Sequence, residues 1–199
     1  MKLGVLASHE GTTLQAVLDA CAAGAPFEVS LVISNNSGSG ALRRAREAGV
    51  PALWLSSKTH ADADELDRAM VDALASHGVE VLLLAGYMKK LAPRTLAAFR
   101  GHIVNTHPAL LPKFGGQGMY GIHVHRAVLA AGEAVTGVSI HLVEAEYDSG
   151  PVIARSEVAV HAGDTPETLA QRVQQSERAL LVEVLTAVGE GRLKLADFS

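Results

Sequence analysis

Through the first half of the chain, short unbroken apolar runs alternate with stretches in which apolar residues recur every three or four positions. The runs fit strands buried on both faces and the periodic stretches fit amphipathic helices, so the pattern predicts strands wound with helices into a mostly parallel sheet. Strands are expected near Leu3–Ala7, Glu28–Ile33, Ala52–Leu55, Val81–Ala85 and Ile103–Asn105. Helices are expected between them, near Thr13–Ala23, Gly40–Ala48, Ala63–His77 and Arg94–Arg100. Gly24, Gly49 and Gly78 each follow a helical stretch, where a left-handed closing residue favours glycine.

The rhythm breaks after Thr106. Pro108, Leu110, Leu111, Pro112 and the glycine-rich stretch Gly115 to Gly121 can continue neither a helix nor a central strand, so a long loop is expected, and a loop of that length in a compact domain is usually functional. A helix near His123–Ala131 follows. Two extended runs, Gly137–Glu144 and Val152–Val160, then flank the turn residues 146–151 and suggest an antiparallel pair closing the sheet. Asp164-Thr165-Pro166-Glu167 reads as a helix start with proline in the first turn, and that helix should run to about Val188.

Composition narrows the class. A chain of 199 residues with 48% apolar and 19% charged residues suits one globular domain. A formal charge of -4 with 4% aromatics lacks the basic face and stacking side chains of a nucleic-acid binder, so a small-molecule partner is expected. The only cysteine, Cys21, lies in a helical stretch, which excludes an intrachain disulfide and points to a reducing compartment. The longest apolar run, Val81 to Met88, is too short to span a bilayer, and the N-terminus lacks a signal-peptide pattern; the expectation is a cytoplasmic protein without membrane contact.

Three constellations could carry chemistry. In the turn Ser8-His9-Glu10-Gly11-Thr12-Thr13, amides at a helix start and a glycine could hold a phosphate, although Thr12 could equally serve as a plain helix cap. Asn105-Thr106-His107-Pro108 stands where a parallel strand ends, the edge at which open sheets bind ligands. There an asparagine amide can polarise a carbonyl without titrating, and a histidine can both donate and move protons. Asp148 sits beside Gly150-Pro151 in a turn, where aspartate is common for structural reasons; if the antiparallel pair closes beside the fifth strand, its carboxylate would reach His107 and favour the charged imidazole. His123 and His125 lack the partner set of a metal site, and Gly137-Val138-Ser139-Ile140-His141 lacks the second glycine of a nucleophile elbow.

Asn105-Thr106-His107-Pro108-Ala109-Leu110-Leu111-Pro112, followed by Asp148-Ser149-Gly150-Pro151-Val152-Ile153, resembles the signature of the folate-dependent formyltransferases, and the likeness extends through Leu84-Ala85-Gly86-Tyr87-Met88 to the terminal helix. The resemblance implies a Rossmann-like α/β fold of formyltransferase type, open and mostly parallel, with helices on both faces and residues 1–199 forming one formyltransferase domain. It further implies 10-formyltetrahydrofolate as the formyl donor, no metal, and the amine of glycinamide ribonucleotide as acceptor, the members using that acceptor being the most similar. A monomer or homodimer is expected.

Position by position, the resemblance assigns catalysis to Asn105, His107 and Asp148, and the acceptor's phosphate and ribose to Gly11, Thr12, Thr13 and Glu177. It assigns the folate to Met88, Lys89, Lys90, Leu91, Asn105, Glu144, Ala145, Glu146, Tyr147 and Asp148. Three departures stand out. Thr13 replaces a common asparagine and His9-Glu10 a usual Gly-Asn pair; Ala63 stands where some members carry a folate-side arginine; and the segment Phe114 to Tyr120 is long and glycine-rich, as a mobile flap would be. A methionyl-tRNA formyltransferase would be expected to carry a further C-terminal domain, and a formyltetrahydrofolate hydrolase a further N-terminal one. Sugar-amine transfer and a noncatalytic folate-binding module on the same fold are the remaining alternatives.

Overall fold

The computed structural model describes residues 1–198. Seven strands form one sheet in the order β3-β2-β1-β4-β5-β6-β7. The first five, β1 (Lys2–Leu6), β2 (Glu28–Ser34), β3 (Ala52–Trp54), β4 (Val81–Leu84) and β5 (Ile103–His107), run parallel. The last two, β6 (Val135–Leu142) and β7 (Val152–Ala159), are antiparallel, as the spacing of the two extended runs predicts. Helices α1 (Thr12–Ala22), α2 (Gly40–Glu47), α3 (Ala63–Ser76), α4 (Pro93–Ala98), α5 (Ile122–Ala130) and α6 (Pro166–Gly189) make the connections or close the chain, and a short 3-10 turn follows at Leu195–Phe198.

Alternation along the strands builds two cores. Leu3, Val5 and Ala7 of the β1 region and Val81, Leu83 and Ala85 of the β4 region face the layer of α1, α2 and α6, packing with Leu14, Leu42 and Leu181. Leu6, Leu82 and Leu84 face the opposite layer and pack with Met70 and Leu74 of α3 and with Phe99. Both faces of β1 and β4 are therefore apolar, which is why those strands read as unbroken hydrophobic runs. A third cluster joins Val124 and Val128 of α5 with Leu169 and Val173 of α6 beneath Val138 and Val158 of the antiparallel pair.

Helix ends follow the sequence signals with one exception. Pro166 opens α6 behind Thr165, whose hydroxyl accepts from the Thr168 amide while Thr168 reciprocates to the Thr165 amide, and Arg172 grips Asp164 at 2.8 Å. The exception is α1. Its N-cap is Gly11, not Thr12, and no side chain caps it. Gly11 is required twice over, since its φ is +70° and a methyl there would lie 2.8 Å from the Ala41 backbone.

β1 pairs with β2 on one side and with β4 on the other, so the chain crosses over at β1 and opens a crevice beyond the strand ends. Ser8 pins that crevice. Its amide donates to Gly86 O at 3.1 Å, its hydroxyl donates to Asn35 Oδ1 at 2.6 Å, and the Met88 amide donates to the same hydroxyl at 2.8 Å.

Candidate active site

β5 carries the centre of the site. Alternation puts Asn105 and His107 on one face and Thr106 on the other, where its hydroxyl donates to Glu177 Oε1 at 2.8 Å. Antiparallel pairing sets His141 opposite Asn105 and Ser139 opposite His107. The turn between β6 and β7 then brings Asp148 back over this face, with Oδ2 3.4 Å from His107 Nδ1 and Oδ1 3.5 Å from His141 Nε2. Asn105, His107 and Asp148, singled out separately in the sequence, thus share one cluster. The proposed approach of Asp148 to His107 is what the sheet order delivers.

The hydrogen bonds fix the tautomers. His107 Nε2 lies 2.7 Å from the Phe114 carbonyl, an acceptor only, so Nε2 carries the proton and Nδ1 faces the carboxylate. His141 Nδ1 lies 2.8 Å from Leu142 O and must also be protonated, which leaves Nε2 to accept from Asn105 Nδ2 at 3.0 Å. That bond orients the Asn105 amide, and its second N–H remains to be donated. Asp148 is held by the Gly116 amide at 2.9 Å.

Burial pushes the His107 pKa below its ordinary value, and nearby His141 adds to the effect; the Asp148 carboxylate and the Phe114 carbonyl pull upward without overcoming it. The standing charged imidazole expected from the Asp148 pairing is therefore not the resting form. Asp148 shows the opposite balance. Burial alone would raise its pKa, yet the adjoining His141 and His107 rings and the Gly116 amide bring it below the usual carboxylate value. The pair is an ionised acid beside an imidazole that can gain a second proton at Nδ1.

Backbone strain gathers at the same point. Among the described residues, the non-glycine residues with positive φ are Phe114 at 56° and Asp148 at 53°, and each faces one nitrogen of His107. The loop that presents Phe114 is tied down upstream of it. The Ser139 hydroxyl donates to Ala109 O and accepts from the Leu111 amide, and Arg155 donates to Leu111 O at 2.9 Å.

The residues expected to meet the folate line one small cleft of about 80 Å³, which includes Lys89, Lys90, Leu91, Asn105 and the segment Glu144, Ala145, Glu146, Tyr147 and Asp148. Met88 does not line it. It lies with Ser8 in a neighbouring, larger cleft that shares Lys89. Lys90 reaches across the mouth of the small cleft to Glu146 at 3.4 Å and sits 5.6 Å from the centre of the Tyr147 ring. Tyr87 also lines this cleft, and burial pushes its hydroxyl up to about 12.

Gly11, Thr12 and Thr13 form the uncapped start of α1, whose first turn has no acidic residue, so its amides face the crevice with the positive end of the helix dipole. Thr13 donates to Glu177 Oε1 at 3.1 Å, the oxygen that Thr106 also approaches. Burial raises the Glu177 pKa, against the two threonine hydroxyls and Arg178. His9 and Glu10, the unusual pair of the turn, part company: His9 lines the larger cleft and Glu10 lies 3.8 Å from Arg43.

His141, Phe114 and the Gly116 amide belong to the site but were not singled out as contributors. Polar Ser139 and His141 at alternate positions of an otherwise apolar strand are a period-two signal that would have flagged one of them. No such signal exists for Phe114, which contributes a backbone atom. His125 is buried with its Nδ1 unpartnered among the described residues, and no three His, Cys, Asp or Glu side chains among them are arranged to hold a metal.

Comparison with known proteins places these features in a family. The model of a family described as formyl transferase matches residues 1–185. The phosphoribosylglycinamide formyltransferase of Escherichia coli is 36% identical over 198 residues, covering 99% of this chain and 91% of its own. The chloroplastic enzyme of that name from Arabidopsis thaliana is 42% identical over 195 residues, 97% of this chain and 67% of its own. Among solved structures, glycinamide ribonucleotide transformylase 1 from Symbiobacterium toebii superposes with a TM-score of 0.90 at 38% identity, covering 98% of this chain and 90% of its own.

Proposed function

The chain belongs to the formyl transferase family, and from that premise we infer that it passes the formyl group of 10-formyltetrahydrofolate to the amine of glycinamide ribonucleotide, a step of purine biosynthesis. We read residues 1–199 as one formyltransferase domain acting on small molecules in the cytoplasm, as a monomer or homodimer, without nucleic acid or membrane. No described helix is long and apolar enough to cross a membrane.

The convergence of Asn105, His107 and Asp148 at the carboxyl edge of the sheet carries the reading. In the proposed reaction the neutral amine attacks the formyl carbon on N10, and the carbonyl oxygen becomes an oxyanion. The free N–H of Asn105 donates to it. His107, once Nδ1 has taken a second proton from solvent, supplies that N–H as the other donor and returns the proton to solvent after product release, and preorganised donors of this kind are each worth about a hundredfold or more in turnover. The nearby Asp148 carboxylate stabilises the imidazolium at the moment it forms. Asp148 also accepts the proton released by the attacking amine and returns it to N10 as the carbon–N10 bond breaks, so that formylated amine and tetrahydrofolate leave neutral.

The uncapped start of α1 is the proposed seat of the acceptor phosphate, with Glu177 beside the ribose. The cleft between Lys89–Leu91 and Glu144–Asp148 is the proposed seat of the pterin. A steady-state assay with glycinamide ribonucleotide and 10-formyltetrahydrofolate, followed by the change in folate absorbance, tests the reading. Acceptor-dependent turnover is expected; formate release independent of the acceptor would instead assign hydrolysis.

A further inference from the structure

Thr106 is the one polar side chain of β5 that the proposed reaction leaves without a task. Alternation places it on the face of Val104, which packs toward α1 and α6 among apolar side chains. A half-buried hydroxyl in such surroundings needs a partner, and Thr106 has one in Glu177, donating to Oε1 at 2.8 Å. Thr13, from the first turn of α1, donates to the same oxygen at 3.1 Å. The end of β5, the start of α1 and the middle of α6, segments 71 and 164 positions apart, thus meet at one carboxyl oxygen.

Both donors fall on Oε1. Oε2 has no hydrogen-bond or ion-pair partner among the described residues. It is not sealed in the core either, since the buried side-chain polar atom left without a partner among those residues is His125 Nδ1. The terminal torsion of a glutamate is soft and two-fold, so a free carboxyl group would exchange its oxygens; two hydroxyls on one of them decide which is turned inward and which is offered to a ligand. We propose that Thr106 is a positioning residue for the acceptor, holding Oε1 of Glu177 so that Oε2 is presented to the ribose hydroxyls of glycinamide ribonucleotide. The inference rests on the reading that sets Glu177 beside the ribose. Because Thr106 stands between Asn105 and His107 in one strand, the same bond ties the sugar seat to the reaction centre on the opposite face.

Thr106→Val removes the hydroxyl and keeps the branched shape that suits a strand. The KM for glycinamide ribonucleotide should rise roughly three- to tenfold, the worth of one hydrogen bond, with kcat and the KM for 10-formyltetrahydrofolate unaltered. Thr106→Ser, which keeps the hydroxyl, should restore the acceptor KM. An unaltered acceptor KM in Thr106→Val would overturn the proposal, as would a defect confined to kcat or one equally large in Thr106→Ser.

Glu177→Ala separates the proposal from the reading beneath it. Calorimetric titration with glycinamide ribonucleotide, which requires no transfer, should show weaker binding in that variant, and adding Thr106→Val to it should change nothing further. If Glu177→Ala binds the acceptor as the unaltered protein does, the ribose seat itself is misplaced and Thr106 positions nothing. If Glu177→Ala weakens binding while Thr106→Val leaves it intact, or if the two losses add, the seat stands and the role of Thr106 falls.

Discussion

The carbonyl oxygen of Phe114 lies 2.7 Å from Nε2 of His107, and this contact decides which imidazole nitrogen is available for chemistry. Because a carbonyl only accepts, Nε2 must hold the proton, and Nδ1 is left facing Asp148. A strained backbone at Phe114 thus fixes a tautomer that a free histidine would not choose uniquely.

Asp148→Asn keeps the size of the side chain and an acceptor for the Gly116 amide, but removes the charge that stabilises protonated His107. Turnover should fall by a factor of roughly a hundred to a thousand, of the order seen when a preorganised electrostatic partner is lost. Circular dichroism and thermal melting should show a folded protein; activity near that of the unaltered enzyme would remove Asp148 from the mechanism.

His141 acts through Asn105, to which it is bonded at 3.0 Å. Asn105→Ala should cost about a hundredfold or more in kcat, and His141→Ala less, since the amide would remain but lose its fixed orientation. If the two act as one unit, the double variant should be hardly worse than Asn105→Ala alone. Additive losses in that cycle would mean that His141 works independently.

Gly150 supports the turn that carries Asp148. A methyl group there would overlap the Leu142 carbonyl oxygen, so Gly150→Ala must displace the backbone. A loss of about 2–3 kcal/mol, the scale of overpacking in a filled core, is expected in denaturant unfolding. Activity should drop with it, because Asp148 moves with the turn.

Glu177 has a raised folded-state pKa, so the fold favours its neutral form. Its contribution to stability is present at acid pH and is lost as pH climbs through the raised value. Glu177→Gln mimics the neutral form and should melt at a higher temperature than the unaltered protein at neutral pH, while the KM for glycinamide ribonucleotide rises. A variant less stable at neutral pH would contradict the assigned direction.

His125 and His107 carry lowered pKa values, chiefly from burial, so both are favoured neutral in the fold. Their contribution is complete above the ordinary histidine value of 6.5 and is lost as pH falls through the depressed folded values. The melting temperature should therefore decline on acidification below that point. His125→Leu, which removes a buried nitrogen without a partner, should soften the decline and be neutral or stabilising by about 1 kcal/mol at neutral pH. An equally steep decline in the variant would leave His125 out of the acid response.

Local patterning along the chain suffices for the succession and type of the elements. Apolar runs at Val81–Leu84 and periodic stretches such as Ala63–Ser76 report their own periodicity, and boundary signals such as Pro166 at a helix start and Gly24 past a helix end act within a turn of where they stand. The family likeness was equally local, resting on contiguous residues around Asn105 and Asp148. Boundaries differed by a residue or two, as where the antiparallel run predicted from Gly137 begins at Val135.

What those residues touch is set by the folding of distant segments against one another. Thr13 meets Glu177 across 164 positions and Asn105 meets His141 across 36, contacts set by strand register and the path of loops. Phe114 enters through a backbone oxygen, which no residue type announces, and the burial that keeps His107 neutral comes from the closing of loop and sheet around it. Local sequence encodes periodicity, whereas partners and pKa values depend on which distant segments are brought together and how much water they exclude.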